Sequence, residues 1–481
     1  MTTPVLALMS AAPPVHDLTR HWAGIAAVIV FVAAYLLVMA EEKLQLRKSK
    51  PVIMAAGLIW MLVGVAYVAR GETDAAAAAL RANVSEYAEL FLFVMVAMTY
   101  VSLMEERKLF DALRSWLIRK HLSLRAIFWI TGIMSFFISS QLDNLTTALV
   151  MGTVVLTVGR GYPRFIAISC ISVVVAANAG GAWSPFGDIT TLMVWQSGKV
   201  SFFEFYRLFV PSLVNWLVPA AFMQFGIPKA HPEADDEVVR VRRGGFGTLA
   251  LFGLTIVMAV SAFNLLKLPP FIGMTTGLGM LMLYGYYLKR THRPVPIPVE
   301  PALGARLRRG VPVGALSAAA ASGAAGASAQ VIFEEEEPFD IFATIRKAEW
   351  DTLLFFYGII LCVGGLAYIG YLHNLSGLLY TGFGATTANV AVGVISAFVD
   401  NIPVMFAVLN MDPAMDISQW LLVTMTAGVG GSMLSIGSAA GVGLMGQSRG
   451  QYTFLSHLRW TWAIALGYAA SIWVHLLINR P

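Results

Sequence analysis

Two short polar stretches interrupt long apolar regions of this sequence, and they are the places where side chains could do chemistry. The first, SSQLDN, is residues 139–144, and the second, SAFVDN, is residues 396–401. A carboxylate such as Asp143 costs about 3 kcal/mol or more at membrane depth, so it is expected to face a cavity or a pathway. Oxygen ligands of this kind bind hard cations, and a carboxylate also binds a proton. The two stretches therefore predict tips that hold cations or protons.

Two further stretches contain residues that break helices. NAGGAWSPFGD, residues 178–188, has paired glycines and a proline, and VGGSMLSIGS, residues 429–438, has paired glycines and a third glycine. Glycine weakens a helix and proline removes a backbone donor, so each span is expected to break here. A broken span leaves amides and carbonyls free at membrane depth, where they bind ions.

The composition places these stretches in a membrane protein. The chain has 481 residues, 57% of them hydrophobic and 13% charged, with a mean hydropathy of +0.70. Soluble domains carry about 25% charged residues, so this chain has too few to cover a surface in water. The alternation typical of membrane β-barrels is absent. The net charge of +5 is attributed to basic loops rather than to nucleic acid. Two cysteines in apolar runs predict neither a disulfide framework nor a metal site.

The apolar runs predict an all-α polytopic membrane protein with about ten spans and two hairpins. The spans are 22–40, 51–69, 87–104, 164–197, 207–228, 247–265, 269–288, 350–371, 416–447 and 459–478, and the hairpins are 124–159 and 384–411. The hairpin arms are short for a full crossing, which favours re-entrant hairpins with buried tips. Two ordinary crossings joined by a polar turn are the alternative.

Charge in the loops predicts the orientation. Loops 43–50 and 105–125 are rich in Lys and Arg, whereas loop 70–86 contains few. The positive-inside rule then places the basic loops in the cytoplasm and the N-terminus outside. Residues 107–120 have apolar positions at helical spacing among basic ones, which predicts an interfacial helix.

The two halves of the chain predict inverted repeats, each with a re-entrant hairpin and a broken transmembrane helix. The expected units are a tail at 1–21, repeats at 22–230 and 247–480, a cytoplasmic loop at 231–246 and, within the second repeat, a cytoplasmic linker at 289–349. The pairs that align are Asp143 with Asp400, Asn144 with Asn401, Ser139 with Ser396, Gly180-Gly181 with Gly430-Gly431, Gly187 with Gly437, and Asp188 with Ser438.

Inverted repeats would bring the tips and the breaks together near the bilayer midplane. The polar residues collected there are Ser139, Asp143, Asn144, Thr146, Thr147, Asn178, Ser184, Asp188, Thr190, Thr191, Ser396, Asp400, Asn401, Ser432, Ser435 and Ser438. No buried Lys or Arg is expected to pair with the three carboxylates. Because only the first half has a carboxylate in its broken span, the principal cation site is predicted around Asp143, Asn178, Asp188, Thr190 and Thr191. The structural alternative is that Asp143 and Asp400 only cap helices.

Two glutamates, Glu86 and Glu89, are expected at the outer start of the third span. They are interpreted as interfacial residues, or as a point where cations or protons gain access.

Five segments carry a resemblance to a known family: LRKSKP at 46–51, SSQLDNLTTALVMGTV at 139–154, NAGGAWSPFGDITTLMVW at 178–195, EWDTLLFFYGIILCVGGL at 349–366 and SAFVDNIPVMFAVL at 396–409. Over nearly its whole length the chain resembles the NhaD-type sodium/proton antiporters of the ion transporter superfamily. The resemblance implies exchange of cytoplasmic Na⁺ or Li⁺ for external protons, a homodimer with a moving transport domain, a bacterial inner membrane, and no cofactor beyond the transported ions.

The positions matching the family's functional residues are Ser139, Asp143, Asn144, Thr146, Asn178, Asp188, Thr190, Thr191, Ser396, Asp400, Asn401, Ser435, Ser438 and Glu89. The Ala/Gly/Ser run at 315–329 is unusual for the family. The resulting hypothesis is an alternating-access antiporter in which cation and proton compete for midplane aspartates. A dicarboxylate or metalloid oxyanion transporter of the same superfamily is the alternative, and an intramembrane aspartyl hydrolase is a remote one.

Overall fold

The computed structural model describes residues 16–44, 46–120, 122–231, 239–291, 295–298, 331–334, 340–346 and 348–479. The α-helices are Trp22–Met39, Glu41–Leu44, Ser49–Val68, Thr73–Glu106, Leu109–Ile118, Leu124–Ile138, Asn144–Val158, Pro163–Gly181, Ile189–Gln196, Phe209–Met223, Gly245–Leu266, Phe271–Arg290, Ile341–Arg346, Trp350–Ile369, Tyr371–Ser376, Ala385–Ser396, Asn401–Met411, Ile417–Gly430, Ala439–Gln447, Phe454–Leu458 and Thr461–Ile478. Short 3₁₀ helices cover Phe202–Leu208, Gln224–Gly226, Gly431–Met433 and Ser435–Gly437, and a π-helical turn covers Gly377–Thr381. The predicted all-α fold is confirmed.

Eight of the described helices are long and apolar enough to cross a membrane, or nine if the bent pair Tyr371–Thr381 and Ala385–Ser396 counts as one span. Two of the predicted spans fall outside this set. Phe271–Arg290 has 20 residues but ends in tyrosines and basic residues, and predicted span 416–447 is interrupted by its break. The multi-pass membrane class holds because the other predicted spans are all present as apolar helices.

Both predicted hairpins are present as pairs of short helices. The arms of the first, Leu124–Ile138 and Asn144–Val158, have 15 residues each. The arms of the second, Ala385–Ser396 and Asn401–Met411, have 12 and 11. At 1.5 Å per residue such arms reach about 16 to 23 Å, short of a hydrocarbon core of about 30 Å. Their lengths fit the re-entrant interpretation, which itself stays a prediction.

Both predicted helix breaks are also present. The first separates Pro163–Gly181 from Ile189–Gln196, and the second separates Ile417–Gly430 from Ala439–Gln447 through two 3₁₀ turns. An 18-residue stretch of Pro163–Gly181 is 89% buried, so this helix lies at the centre of the protein. Its small residues allow close packing where lipid offers no hydrophobic drive between helices.

Glycines set the fit between each hairpin and its broken helix. A Cβ at Gly180 would overlap the backbone of Phe136 in the first hairpin. A Cβ at the aligned Gly430 would overlap the backbone of Gly393, which occupies the corresponding place in the second hairpin. At this aligned position each hairpin meets its broken helix in the same way. That the chain consists of two inverted repeats stays a prediction.

The third span differs from its predicted bounds. Thr73–Glu106 is one continuous helix of 34 residues, so the predicted loop at 70–86 is wrong over most of its length. The reason is the run of five alanines at 75–79, because alanine has the highest helix propensity. Glu86 and Glu89 consequently lie within a helix and not at its outer start. The predicted helix at 107–120 is present as Leu109–Ile118.

The predicted linker at 289–349 is only partly described. Strand Val295–Pro298 pairs antiparallel with Val331–Glu334. Helix Ile341–Arg346 contacts the third span, where Thr344 Oγ1 donates to Glu106 Oε2 at 3.3 Å. The Ala/Gly/Ser run at 315–329 lies outside the described residues, as does most of the predicted tail at 1–21. The predicted division into two repeats with a linker is not tested by these contacts.

Candidate cation-binding site

Asp188 is the residue on which both hairpin tips converge. It is the N-cap of helix Ile189–Gln196, where its Oδ1 accepts the Thr190 backbone N–H at 3.0 Å. Its Oδ2 accepts the Asn144 side-chain amide at 2.7 Å and the Asn401 side-chain amide at 3.0 Å. Asp188 as a whole is 7% exposed. One buried carboxylate thus receives an aligned asparagine from each half of the chain.

Asn178 joins the two helix breaks. Its side-chain amide donates to Ser432 Oγ at 2.8 Å and to Ser438 Oγ at 3.0 Å. Its side-chain oxygen is buried and has no hydrogen-bond donor among the described residues. A buried amide oxygen without a donor is costly, unless an ion or a water supplies the positive partner. This oxygen is therefore suited to be a cation ligand.

Asp143 caps the second arm of its hairpin, as the structural alternative predicted. Its carboxylate accepts the Thr146 backbone N–H at 2.8 Å and the Thr146 hydroxyl at 2.7 Å. The tip is held together further by Ser139, whose Oγ donates to Asn144 Oδ1 at 2.9 Å. Capping leaves further lone pairs on the Asp143 carboxylate, so it does not rule out ion binding.

Three of the remaining predicted residues, Thr191, Ser396 and Ser438, bond to the backbone around the breaks. Thr191 Oγ1 donates to the carbonyls of Ser184 and Asp188, at 2.9 and 2.7 Å. Ser396 Oγ donates to the Ala427 carbonyl at 2.7 Å, and Ser438 caps helix Ala439–Gln447. Thr147, Thr190, Ser432 and Ser435 are also buried beside these segments. Thr191, Ser396 and Ser438 therefore stabilise the backbone around the site.

A cavity of about 100 Å³ connects the carboxylates. Its lining includes Asp143, Asp188, Asp400 and Glu349 together with Asn144, Asn178, Asn401, Ser438 and Lys48. Thr190 and Thr191 do not line it. Among the residues that the structure describes, no three His, Cys, Asp or Glu side chains cluster as metal ligands. A cation here would be held by a mixture of carboxylate, amide and hydroxyl oxygens, the ligands that hard monovalent cations accept.

Two more cavities lie at separate positions along the third span. A vestibule of about 280 Å³ is lined by Glu105, Asp111 and Arg114, and it shares Asp143 and Glu349 with the inner cavity. The other cavity, of about 80 Å³, is lined by Glu86, Glu89 and Gln196 and is called the glutamate pocket. Glu89 and Glu105 are about 24 Å apart along the helix, at 1.5 Å per residue. The inner cavity therefore has a polar approach from the vestibule, and a separate acidic pocket lies towards the other side.

The sequence of this chain matches a transporter family and several named antiporters. The profile of a family described as citrate transporter matches residues 35–428. A protein of Alkalimonas amylolytica named Na⁺/H⁺ antiporter NhaD is 54% identical over 478 residues, which cover 99% of this chain and 95% of that protein. A protein of Vibrio cholerae with the same name is 53% identical, covering 96% and 94%. Sodium/proton antiporter 1 of Arabidopsis thaliana is 30% identical, covering 98% and 76%.

The chain belongs to the NhaD-type sodium/proton antiporter family. The predicted resemblance is thereby confirmed over nearly the whole sequence. The family is one of transporters, so the remote hydrolase interpretation is excluded. The roles of the individual aspartates stay predictions.

Lys48 contradicts the expectation that no Lys or Arg pairs with the site carboxylates. Its Nζ lies 3.9 Å from Asp400 Oδ2, and each of these side chains is 19% exposed. The prediction was wrong because Lys48 belongs to a basic loop in the sequence, and only the fold turns its side chain inward. Glu349 was likewise not predicted as a site residue, although it lines both the cavity and the vestibule. Its place directly before an apolar span was the available signal.

A buried histidine supports the second helix break from outside the spans. The Ser432 carbonyl lies 2.9 Å from His457 Nε2, so that nitrogen carries the hydrogen and donates. The other ring nitrogen, Nδ1, then accepts the Tyr452 hydroxyl at 2.8 Å. Because Ser432 Oγ accepts from Asn178, the neutral imidazole braces a partner of the candidate site. Burial lowers the pKa of His457 to about 4.

This histidine predicts a loss of stability in acid. The unfolded chain takes up a proton near pH 6.5 and the folded chain only near pH 4, so the stabilisation is fully present above pH 6.5 and falls below it. The loss reaches about 3 kcal/mol at pH 4. The variant His457→Gln keeps one donor and one acceptor but cannot titrate in this range. We expect its thermal stability to depend less on pH between 7 and 5 than that of the wild type.

The measurement is the thermal midpoint of purified protein in detergent at pH 7 and pH 5. His373→Gln is the matched control, because His373 is exposed, and it should retain the wild-type pH dependence. If the thermal midpoint falls by the same amount from pH 7 to pH 5 in wild type and in His457→Gln, His457 is not the cause of the acid sensitivity.

Proposed function

We propose that the chain extrudes cytoplasmic Na⁺, or Li⁺ in its place, in exchange for protons, with both ions competing for Asp188. Membership of the sodium/proton antiporter family supports the exchange itself. The observation that carries the finer proposal is the Asp188 carboxylate, because amides from both hairpin tips donate to the same oxygen. An ion that binds this oxygen alters the contacts of both tips, which links occupancy of the site to the position of the hairpins.

Competition follows from the surroundings of the carboxylate. Asp188 is buried, and a buried charge is stable only with a partner of opposite sign. A proton or a cation can supply that partner, but two positive charges on one carboxylate repel each other strongly where water is scarce. Asn178 lines the same cavity and its side-chain oxygen has no donor among the described residues, so this oxygen can join the cation shell. In this proposal Asp143, which borders both the vestibule and the inner cavity, passes ions to Asp188.

In this proposal alternating access uses the vestibule and, on the other side, the separate pocket of Glu86 and Glu89. The vestibule lies beside the Lys- and Arg-rich segment 105–125, so the positive-inside rule puts it on the cytoplasmic side. The pocket of Glu86 and Glu89 is bordered by Gln196, the last residue of the half-helix that Asp188 caps. Opening one approach while closing the other would expose Asp188 to each side in turn.

The same proposal includes the membrane arrangement. We include two inverted repeats with re-entrant hairpins, a periplasmic N-terminus and a bacterial inner membrane. The short hairpin arms and the matched glycine contacts support the repeats. A homodimer belongs to the proposal because the family resemblance implies it, and helix Gly245–Leu266, only 22% buried over its apolar window, leaves a wide face for lipid or a second copy.

An anion transporter is the alternative within the same superfamily. Its site would need positive or neutral groups to receive a dicarboxylate. Here the cavity is lined by four carboxyl groups, and the ammonium that lines it, that of Lys48, lies beside Asp400. Such a lining repels anions, so the geometry favours cations.

The test is proton movement in proteoliposomes with an imposed pH gradient when Na⁺, Li⁺, K⁺ or citrate is added. Na⁺ and Li⁺ should each dissipate the gradient, and citrate should neither do so nor compete with Na⁺. Asp143→Asn, which preserves the cap, should raise the apparent KM for Na⁺ about tenfold because a nearby charge is lost. A response to citrate alone would replace this proposal with the anion transporter.

A further inference from the structure

The aspartates of the two hairpin tips have different hydrogen-bond partners because one aligned residue differs between the tips. Asp143 accepts both the backbone N–H and the hydroxyl of Thr146. The residue aligned with Thr146 in the second half is Pro403, which has neither an N–H nor a hydroxyl. The Asp400 carboxylate instead accepts the Ile402 N–H at 3.4 Å, a long hydrogen bond. Asp400 therefore needs another partner to hold a charge beside the cavity.

That partner comes from outside the hairpin. Lys48 is the residue before helix Ser49–Val68, and its backbone N–H donates to Glu41 Oε1 at 3.3 Å. Its side chain extends over the buried ring of Phe355, with Nζ 4.6 Å from the ring centroid. It ends in the inner cavity, with Nζ 3.9 Å from Asp400 Oδ2. The ammonium is thus held by a ring face and a carboxylate, two groups that also bind free cations.

We propose that Lys48 is a resident cation that occupies the second tip, so that a transported cation binds only on the side of Asp188 and Asp143. The inference rests on the proposed function, and it adds that Lys48 limits the number of Na⁺ ions that one chain binds. The two halves carry aligned aspartates at their tips, and without Lys48 either tip could attract Na⁺. An ammonium tethered to the chain satisfies Asp400 permanently and cannot leave with the substrate.

The charges that face Lys48 set the direction of the expected effects. The cavity presents Asp143, Asp188, Asp400 and Glu349, and Glu41 lies at the backbone of Lys48. Removing the ammonium leaves this acidic cavity more negative, so Na⁺ should bind more tightly and in greater number. Removing the Asp400 charge alone leaves the ammonium uncompensated, so Na⁺ should bind more weakly.

The experiment compares full-length wild type, Lys48→Gln, Lys48→Arg, Asp400→Asn and the double variant Lys48→Gln/Asp400→Asn. Two quantities are measured at fixed pH: the apparent KM for Na⁺ in proton exchange by proteoliposomes, and the number of radiolabelled Na⁺ ions bound per chain in detergent. We expect Lys48→Gln to lower KM about tenfold and to bind one more Na⁺, and Asp400→Asn to raise KM about tenfold. Lys48→Arg, which keeps the charge, should stay within about twofold of wild type, as should the double variant.

An unchanged KM and ion count in Lys48→Gln would overturn the inference, as would a double variant that behaves like Lys48→Gln alone. If Lys48→Gln does not fold, Asp400→Asn tests the inference instead. An unchanged KM for Na⁺ in Asp400→Asn would mean that the Lys48 ammonium and the Asp400 carboxylate do not compensate each other's charge. A wild type that shows no Na⁺-dependent proton movement overturns the proposed function instead. The counts of bound Na⁺ would still report on Lys48 in that case.

Discussion

Replacing Asp188 with Asn is expected to remove nearly all sodium-dependent proton exchange while the protein still folds. Asparagine caps a helix about as well as aspartate, so helix Ile189–Gln196 should keep its start. The charge is lost, and with it the charge-assisted hydrogen bonds from Asn144 and Asn401. Two such bonds are together worth about 3 kcal/mol or more, which corresponds to about a hundredfold loss of function.

The measurement is the initial rate of proton movement after addition of Na⁺ to proteoliposomes, with size-exclusion chromatography as the check on folding. Asp416→Asn is the matched control. Asp416 also caps a broken helix, where its Oδ1 accepts the Gln419 N–H at 2.8 Å, but it does not line the inner cavity. It should keep nearly full activity. Exchange at the wild-type rate in Asp188→Asn would remove this carboxylate from the mechanism.

Replacing Gly180 with Ala is expected to damage both transport and stability. The new Cβ would meet the backbone of Phe136, which cannot move aside without shifting the first hairpin arm. Overpacking of this kind costs about 1 to 3 kcal/mol, more than the roughly 1 kcal/mol gained from replacing a helical glycine with alanine. Since the hairpin positions Asn144 on Asp188, we expect about tenfold slower exchange and a lower thermal midpoint.

Gly57→Ala is the control, and the expected change has the opposite sign. Gly57 is an exposed glycine in helix Ser49–Val68, and nothing lies within 4 Å of a Cβ built there. Helix propensity alone should act, so stability should rise by about 0.5 to 1 kcal/mol with transport unchanged. Equal thermal midpoints for the two variants would show that the contact between Gly180 and Phe136 does not constrain the hairpin.

The hairpin tips and the helix breaks could be located from the sequence because each interrupts a long apolar run with residues that such runs rarely contain. A carboxylate within an apolar run and paired glycines beside a proline stand out against long apolar helices. Asp143 and Asp188 are accordingly found at helix starts. The start of the third span was missed since the charged residues Asp74, Arg81 and Glu86 interrupt the apolar pattern there, yet the alanine run favours helix strongly.

Contacts between distant segments were harder to foresee. Nothing near Asn401 in the sequence indicates that its amide reaches Asp188, 213 positions away. The inward turn of Lys48 was likewise hidden, because a lysine in a basic loop ordinarily remains in water.

The sequence by itself determined the membrane class, the helical spans, the polar tips, the broken helices and the family. These features depend on hydrophobic length and on local backbone preferences, which can be read residue by residue. Only the tertiary structure decided that both asparagines meet on one carboxylate and that Pro403 leaves Asp400 to Lys48. It also decided that Thr190 and Thr191 support the site without lining the cavity. The physical reason is that hydrogen bonds and charge pairs act over a few ångströms, and the packing of separate helices alone brings their partners within that range.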